Sequence, residues 1–199
     1  MRLLLASASP RRQELLAAAG IECVVAPVDI DERQLTGERP EQYVDRLARQ
    51  KAAAGVARFP DDVVLAADTA VVLGGDVLGK PAHADAATAM LRRLSGRAHD
   101  VLTGVAIAWP GGIVAEVDRT RVWMNALSDD DIAMYLATGE PLDKAGAYGI
   151  QGFAARFIPR IEGSYSNVVG LPVATVLQLL GRAGMSQIVS RPRNRAEQG

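Results

Sequence analysis

Apolar and polar positions in this chain switch between two periods, and each switch marks the boundary of an element. Leu3-Leu4-Leu5 is a short apolar run, followed by the small residues Ala6 to Ser9 and then by Pro10-Arg11-Arg12. That order predicts a buried strand, a tight turn and a helix with Ser9 as N-cap and Pro10 in the first turn, where a missing N–H costs nothing. Leu15, Leu16 and Ala19 continue the helix at the right spacing, and Gly20 is a natural C-cap. A second strand is expected over 21–26. Tyr43, Val44, Leu47, Ala48 and Ala54 trace an apolar stripe that predicts a helix over 40–58. Residues 63–73 (VVLAADTAVVL) are apolar at almost every position, as in a central strand covered on both faces. Gly74-Gly75 reads as a hairpin turn into a further strand. A helix over 84–94, a long hairpin over 99–109 and 113–125, and a Ser128-capped helix over 129–137 come next. A strand over 156–161, a turn at 163–167 and a last helix to about residue 180 complete the pattern. Strands and helices alternate without repeats, so the expected fold class is α/β.

Composition narrows the picture. The 199 residues, 49% of them hydrophobic, suffice for one domain with a substantial core, expected over 1–185, with the polar stretch 186–199 as a flexible tail. A net charge of −1 argues against a general polyanion binder, so no DNA or RNA binding is expected. Cys23 is the only cysteine, which excludes an internal disulfide. The apolar run at the start is too short for a signal peptide, and no stretch approaches the ~20 apolar residues of a membrane span. A cytoplasmic location is the expectation.

Several positions carry candidate chemistry. Arg11 and Arg12 occupy a first helical turn, which already carries partial positive charge. Either they lie in solvent, or an anion sits among them, the turn and the free N–H groups as in a phosphate cradle. Asp29, Asp31 and Glu32 form either a solvated acidic turn or carboxylates available to a hard divalent cation or for proton abstraction. Lys51 falls on the apolar stripe of its helix, where a lysine either snorkels to water or faces a cleft as a phosphate ligand. Asp68 interrupts the most apolar strand. It must meet a cation, a set of hydrogen bonds or a water-filled cleft, unless a bulge lets it reach solvent. Gly74 to Lys80 fits the first part of a P-loop, but Pro81 replaces the metal-binding hydroxyl and prevents a helix from starting there. Lys80 remains a fixed cation at the end of a short strand. The stretch 143–152 is rich in glycine, and the Gln151 amide matches the C=O/N–H edge of uracil or thymine, although it could equally pair with backbone. His83 and His99 have no metal-ligand pattern around them, and histidine-based catalysis is not expected.

Four of these segments together resemble the Maf family of nucleotide pyrophosphatases. They are Ser7-Ala8-Ser9-Pro10-Arg11-Arg12, Ala67-Asp68-Thr69, Gly79-Lys80-Pro81 and Val169-Gly170-Leu171-Pro172, in that order over roughly 3–180. The loop 143–152, with Gly163-Ser164-Tyr165, is similar to the branch acting on dTTP and UTP. The resemblance implies an elongated mixed β-sheet flanked by helices, in two lobes with a cleft between them. It implies hydrolysis of a nucleoside triphosphate to the monophosphate and pyrophosphate, a house-cleaning activity linked to cell division, with Mg²⁺ or Mn²⁺ as divalent cation and with modified pyrimidine triphosphates as further substrates. Asp68 matches the family's proton acceptor, and Arg11, Thr69 and Gln151 match its substrate-specificity positions. Ser9, Arg12, Glu32, Lys51 and Lys80 match positions lining the phosphate and metal region. Arg11, Arg12, Lys51 and Lys80 would then surround the triphosphate, Glu32 and Asp68 would hold the metal, and Asp68 would take a proton from the attacking water. The family also suggests a homodimer. The alternative is a non-catalytic nucleotide- or protein-binding regulator of septum formation.

Overall fold

The computed structural model describes residues 1–188. Strand β1 (Leu3–Leu5) leads through the small-residue turn into α1 (Pro10–Ala18), and the chain returns along β2 (Val24–Val25). Helix α2 (Pro40–Arg58) precedes the long β3 (Val63–Leu73), which turns into β4 (Asp76–Leu78). The turn glycines, Gly74 and Gly75, have φ of 62° and 95°, the left-handed pair that a two-residue hairpin favours. Helix α3 (Ala84–Leu94), the hairpin β5 (Ala98–Trp109) and β6 (Gly112–Trp123), and α4 (Asp129–Ala137) follow. Short 3₁₀ segments at Glu140–Asp143, Ala145–Ala147 and Phe153–Phe157 carry the chain to β7 (Arg160–Glu162), α5 (Tyr165–Val169) and α6 (Val173–Arg182).

The seven strands form one mixed sheet in the order β2-β1-β3-β5-β6-β7, with β4 also paired to β3. Strand β1 runs parallel to β2 and β3, and the other pairs are antiparallel. The length of β3 decides the shape of the molecule. One of its edges pairs with β5 from Val64 to Val72. The opposite edge pairs with β1 over Val63–Leu65 and with β4 over Val71–Leu73. Between those two patches, residues 66–70 have no strand beside them on that edge.

The helices reinforce this division. On one face, Val44, Ala48 and Ala52 of α2 pack over Val64, Ala66, Ala70 and Val72 of β3. On the other face, Leu65 and Ala67 join Leu16 of α1 and Leu179 of α6. Val71 and Leu73 join a separate cluster with Leu91 of α3 and Tyr135 of α4. Helix α2 lies close to the sheet because Gly104 of β5 has no side chain. A Cβ there would lie 2.2 Å from the Val44 carbonyl oxygen. Gly104 is also the register partner of Asp68.

Three sequence expectations need correction. The second strand spans only Val24–Val25, because it is an edge strand paired to β1 alone and its side chains are exposed. The strand expected over 156–161 is instead the 3₁₀ segment Phe153–Phe157 followed by β7, because Phe153 and Phe157 pack against Tyr135. The turn expected at 163–167 becomes the helix α5. Gly163 at φ 123° reverses the chain, and the Ser164 hydroxyl then caps the helix by accepting the Asn167 N–H at 3.2 Å. Of the tail expected over 186–199, Ser186–Ile188 form a 3₁₀ turn, and the remainder lies outside the described residues.

Candidate active site

A cleft of about 980 Å³ opens at the unpaired stretch of β3 and is lined by the segments that follow β1 and β4, among others. Asp68 stands in the middle of that stretch and is 8% exposed. Lys51, on the α2 face turned toward the sheet, donates from Nζ to Asp68 Oδ1 at 2.6 Å. The same Nζ lies 2.6 Å from Glu32 Oε1. One buried ammonium thus joins a carboxylate on a central strand to a carboxylate on an exposed loop. A lysine this buried is favourable only because both anions compensate its lost hydration.

The acidic loop that carries Glu32 is strapped to α2 by polar contacts. Tyr43, two helical turns before Lys51 and on the same face, donates its O–H to the Glu32 carbonyl at 3.0 Å. Burial, with the Asp68 and Glu32 charges nearby, pushes the Tyr43 phenol up to about 12, so it remains a donor. Arg46 bonds the Arg33 carbonyl at 3.1 Å and pairs with Glu38 at 2.6 Å. Asp31 turns away to Arg33, whose guanidinium holds its carboxyl down at about 2, and Glu32 alone of the loop's acids meets Lys51.

The turn after β1 supplies the opposite wall. Ser9 is the N-cap of α1, but its hydroxyl makes no capping bond, so the N–H groups of the first turn are not satisfied by it. Arg12 is held on three sides: Nε donates to the Gly170 carbonyl at 2.9 Å, Nη1 to Ser7 Oγ at 3.0 Å and Nη2 to Thr69 Oγ1 at 3.1 Å. Burial pulls its guanidinium below the ordinary value, while Asp68 pulls the other way. Thr69 lies within hydrogen-bond distance of Thr103 Oγ1, at 2.9 Å, and of the Gly170 carbonyl, at 3.2 Å. Arg12 and Thr69 therefore tie α1, β3 and the loop before α6 into one frame. Arg11 reaches across the cleft to Asp143 at 3.0 Å.

Lys80 follows Gly79, whose carbonyl accepts the Gly146 N–H at 3.0 Å, and its exposed side chain borders the cleft. Gln151 borders the other side of it, exposed and with no side-chain partner among the described residues. Its backbone is fixed on both sides. The Gly149 N–H donates to the Tyr135 hydroxyl at 3.1 Å, and the Phe153 N–H to the Glu140 carboxylate at 3.1 Å. The nine residues that the family resemblance marks, Ser9, Arg11, Arg12, Glu32, Lys51, Asp68, Thr69, Lys80 and Gln151, thus border one cleft, whereas Asp29, Asp31, His83 and His99 do not.

Among the described residues no group of three His, Cys, Asp or Glu side chains is placed to hold a metal. The available donors are Glu32 and Asp68, whose carboxylates converge on the point that Lys51 Nζ occupies. Hard oxygens in that number suit an Mg²⁺-type ion, which commonly takes one or two carboxylates, waters and substrate phosphates rather than a full protein cage. The donor set fits a cation shared with a phosphate ligand.

Sequence reasoning missed Tyr43, Glu140 and Asp143 as parts of the site. Tyr43 had a signal, since it shares a helix face with Lys51. Asp143 opens the stretch 143–152 already singled out, but its pairing with Arg11 depends on a distant segment, and Glu140 had no signal. No helix among the described residues is long and apolar enough to cross a membrane.

Comparison with known proteins adds three findings. A family model described as "Maf-like protein" matches residues 2–183. A dTTP/UTP pyrophosphatase of Koribacter versatilis is 51% identical over 185 residues, covering 93% of this chain and 96% of that protein. One of Myxococcus xanthus is 55% identical over 183 residues, covering 92% and 93%.

Proposed function

This chain belongs to the Maf family, and from that premise we propose that it hydrolyses dTTP and UTP to the nucleoside monophosphate and pyrophosphate. The observation that carries the reading is Asp68, a buried carboxylate at the unpaired stretch of the central strand, joined through one lysine to a second carboxylate. A regulator that only bound nucleotide would have no use for such an acid, and the relatives' names favour the enzyme.

Release of pyrophosphate requires water to attack the α-phosphorus while negative charge grows on the departing β-phosphate. Asp68 takes the proton from that water, and the charge of its carboxylate is compensated by Lys51 beforehand, so no reorganisation is needed at the moment of reaction. Arg11, Lys80, Ser9 and the first turn of α1 surround the triphosphate and draw off the developing charge. Arg12 supplies a further positive charge and holds the frame through Thr69, which thereby influences substrate fit indirectly. An Mg²⁺ or Mn²⁺ ion held by Glu32 and Asp68 would polarise the phosphate and acidify the attacking water when bound. Gln151 meets the pyrimidine edge, its amide offering a donor and an acceptor to the paired C=O and N–H of uracil or thymine. Modified pyrimidines that keep this edge are admitted as well. The working unit is residues 1–185, two lobes sharing one sheet, acting in the cytoplasm as a homodimer.

The test is a panel of nucleoside triphosphates assayed for pyrophosphate release with Mg²⁺, with Mn²⁺ and with chelator. Release from dTTP and UTP, well above that from purine triphosphates and lost with chelator, is the expected outcome. Tight nucleotide binding with no pyrophosphate under any of these conditions would return the regulator reading.

A further inference from the structure

Buried beneath the glycine-rich loop is a pair of aromatic side chains that the chemistry above does not use. His99, near the start of β5, is 2% exposed. Its Nε2 lies 2.7 Å from the hydroxyl of Tyr148, and the two rings meet edge to face with centroids 5.3 Å apart. Tyr148 is 5% exposed and immediately precedes Gly149-Ile150-Gln151.

The backbone is bent to make this contact. Gly146 and Ala147 adopt consecutive left-handed conformations, with φ of 67° and 61°. Glycine is required at 146 for space as well, since a Cβ there would lie 2.9 Å from Val71 Cγ1. Alanine is not suited to positive φ, and its presence at 147 stores strain that surrounding contacts must offset. The double reversal turns Tyr148 inward, where its hydroxyl finds His99, a residue 49 positions away on the sheet. Burial drives His99 down to about 4, against the pull of Asp100, and drives the Tyr148 phenol up. Both rings are neutral at ordinary pH. The bond joining them is therefore between uncharged groups and does not switch with modest changes of pH.

We propose that His99 and Tyr148 form a fixed strut that sets the position of Gln151, making His99 a positioning residue for recognition of the pyrimidine base. The inference rests on the reading of Gln151 as the group that meets the base. Three anchors then hold the loop around that residue: Tyr148 on His99, Gly149 on Tyr135, and Phe153 on Glu140. Of these, the strut alone ties the loop to the central sheet that also carries Asp68. It fixes the distance between the base-reading and the hydrolytic ends of the cleft. A side chain that reads a base must be held in place before the base arrives, because ordering it at binding weakens affinity.

The test compares Tyr148→Phe, which keeps the ring and removes the hydroxyl, with His99→Leu, His99→Gln and Gln151→Ala. Loss of the bond is expected to raise KM for dTTP and UTP by about fivefold to tenfold, the size of one hydrogen bond's contribution, with kcat within about twofold. The ratio of kcat/KM for UTP to that for GTP falls in Tyr148→Phe and His99→Leu. It recovers in His99→Gln, whose amide presents a donor and an acceptor where Nε2 stood. A purely structural role for the pair would change stability and leave the base preference alone. If Tyr148→Phe keeps both the wild-type KM and the UTP-to-GTP ratio while Gln151→Ala loses the ratio, the strut is overturned. If Gln151→Ala itself keeps the ratio, the assignment of Gln151 as base reader fails, and the inference fails with it.

Discussion

Asp68 shows why one residue in an apolar run can be read from sequence alone. A carboxylate flanked by Ala67 and Thr69 in the centre of β3 is too costly to leave unpaired, and the structure supplies Lys51 at 2.6 Å. Glu32 had no comparable signal, since Asp29 and Asp31 stand beside it in the same loop. Only the fold separates them, by giving Asp31 to Arg33 and Glu32 to Lys51. His99 was legible only in part: the absence of ligand patterns around it pointed away from metal binding, and nothing local pointed to Tyr148. Its titration nonetheless gives a residue-scale prediction. The ring takes up a proton near pH 4 in the folded chain and near its ordinary 6.5 when unfolded. The unfolded state therefore binds the proton first as pH falls. His99 thus favours the folded state fully above about pH 6.5, and that contribution is lost progressively down to about pH 4. Roughly 2 kcal/mol should disappear between pH 7.5 and 5, measured by urea unfolding. His99→Gln should lack that slope; an unchanged slope in the variant would mean that another group is responsible.

At the scale of elements, local signals served well wherever an element carried its own boundaries. Helix α2 begins at Pro40 and ends at Arg58 as its stripe predicts, and α4 begins after its Ser128 cap. The failures lie where distant packing decides. Phe157 falls in the strand expected over 156–161, but Phe153 stacks on Tyr135 and Phe157 meets it edge to face, and the segment winds into a 3₁₀ turn. The approach of α2 to the sheet was likewise invisible, because it depends on Gly104, far away in β5. Helix α2 carries Lys51 and Gly104 lies opposite Asp68, so this approach sets the distance between the two charged groups. Gly104→Ala should therefore lower stability and activity together, with a loss of about 1–3 kcal/mol in urea unfolding as α2 is forced outward. The Cβ would meet backbone, the Val44 carbonyl, which has no rotamer to yield. A variant with wild-type stability and turnover would show that the spacing of α2 is not what places Lys51.

For the whole molecule, the decisive feature is a strand longer than the two short strands that share one of its edges. Strand β1 covers one end of β3 and β4 the other, and the uncovered middle becomes the cleft. Two separate hydrophobic clusters on the same face give the two lobes. Arg11 from one lobe meets Asp143 from the other across the opening, so under the proposed function a triphosphate entering there is expected to compete for the arginine and draw on both sides at once. The alternation of elements made the α/β class legible. The gap in the β3 edge was not, because a pairing pattern depends on where other strands end. All of this geometry converges on one acid, and the most direct measurement is pyrophosphate release from dTTP and UTP by Asp68→Asn beside the wild type. The amide keeps the shape of the side chain and can accept no proton from water, so turnover should fall by about 10²–10⁴-fold while nucleotide is still bound. Wild-type turnover by that variant would contradict the account.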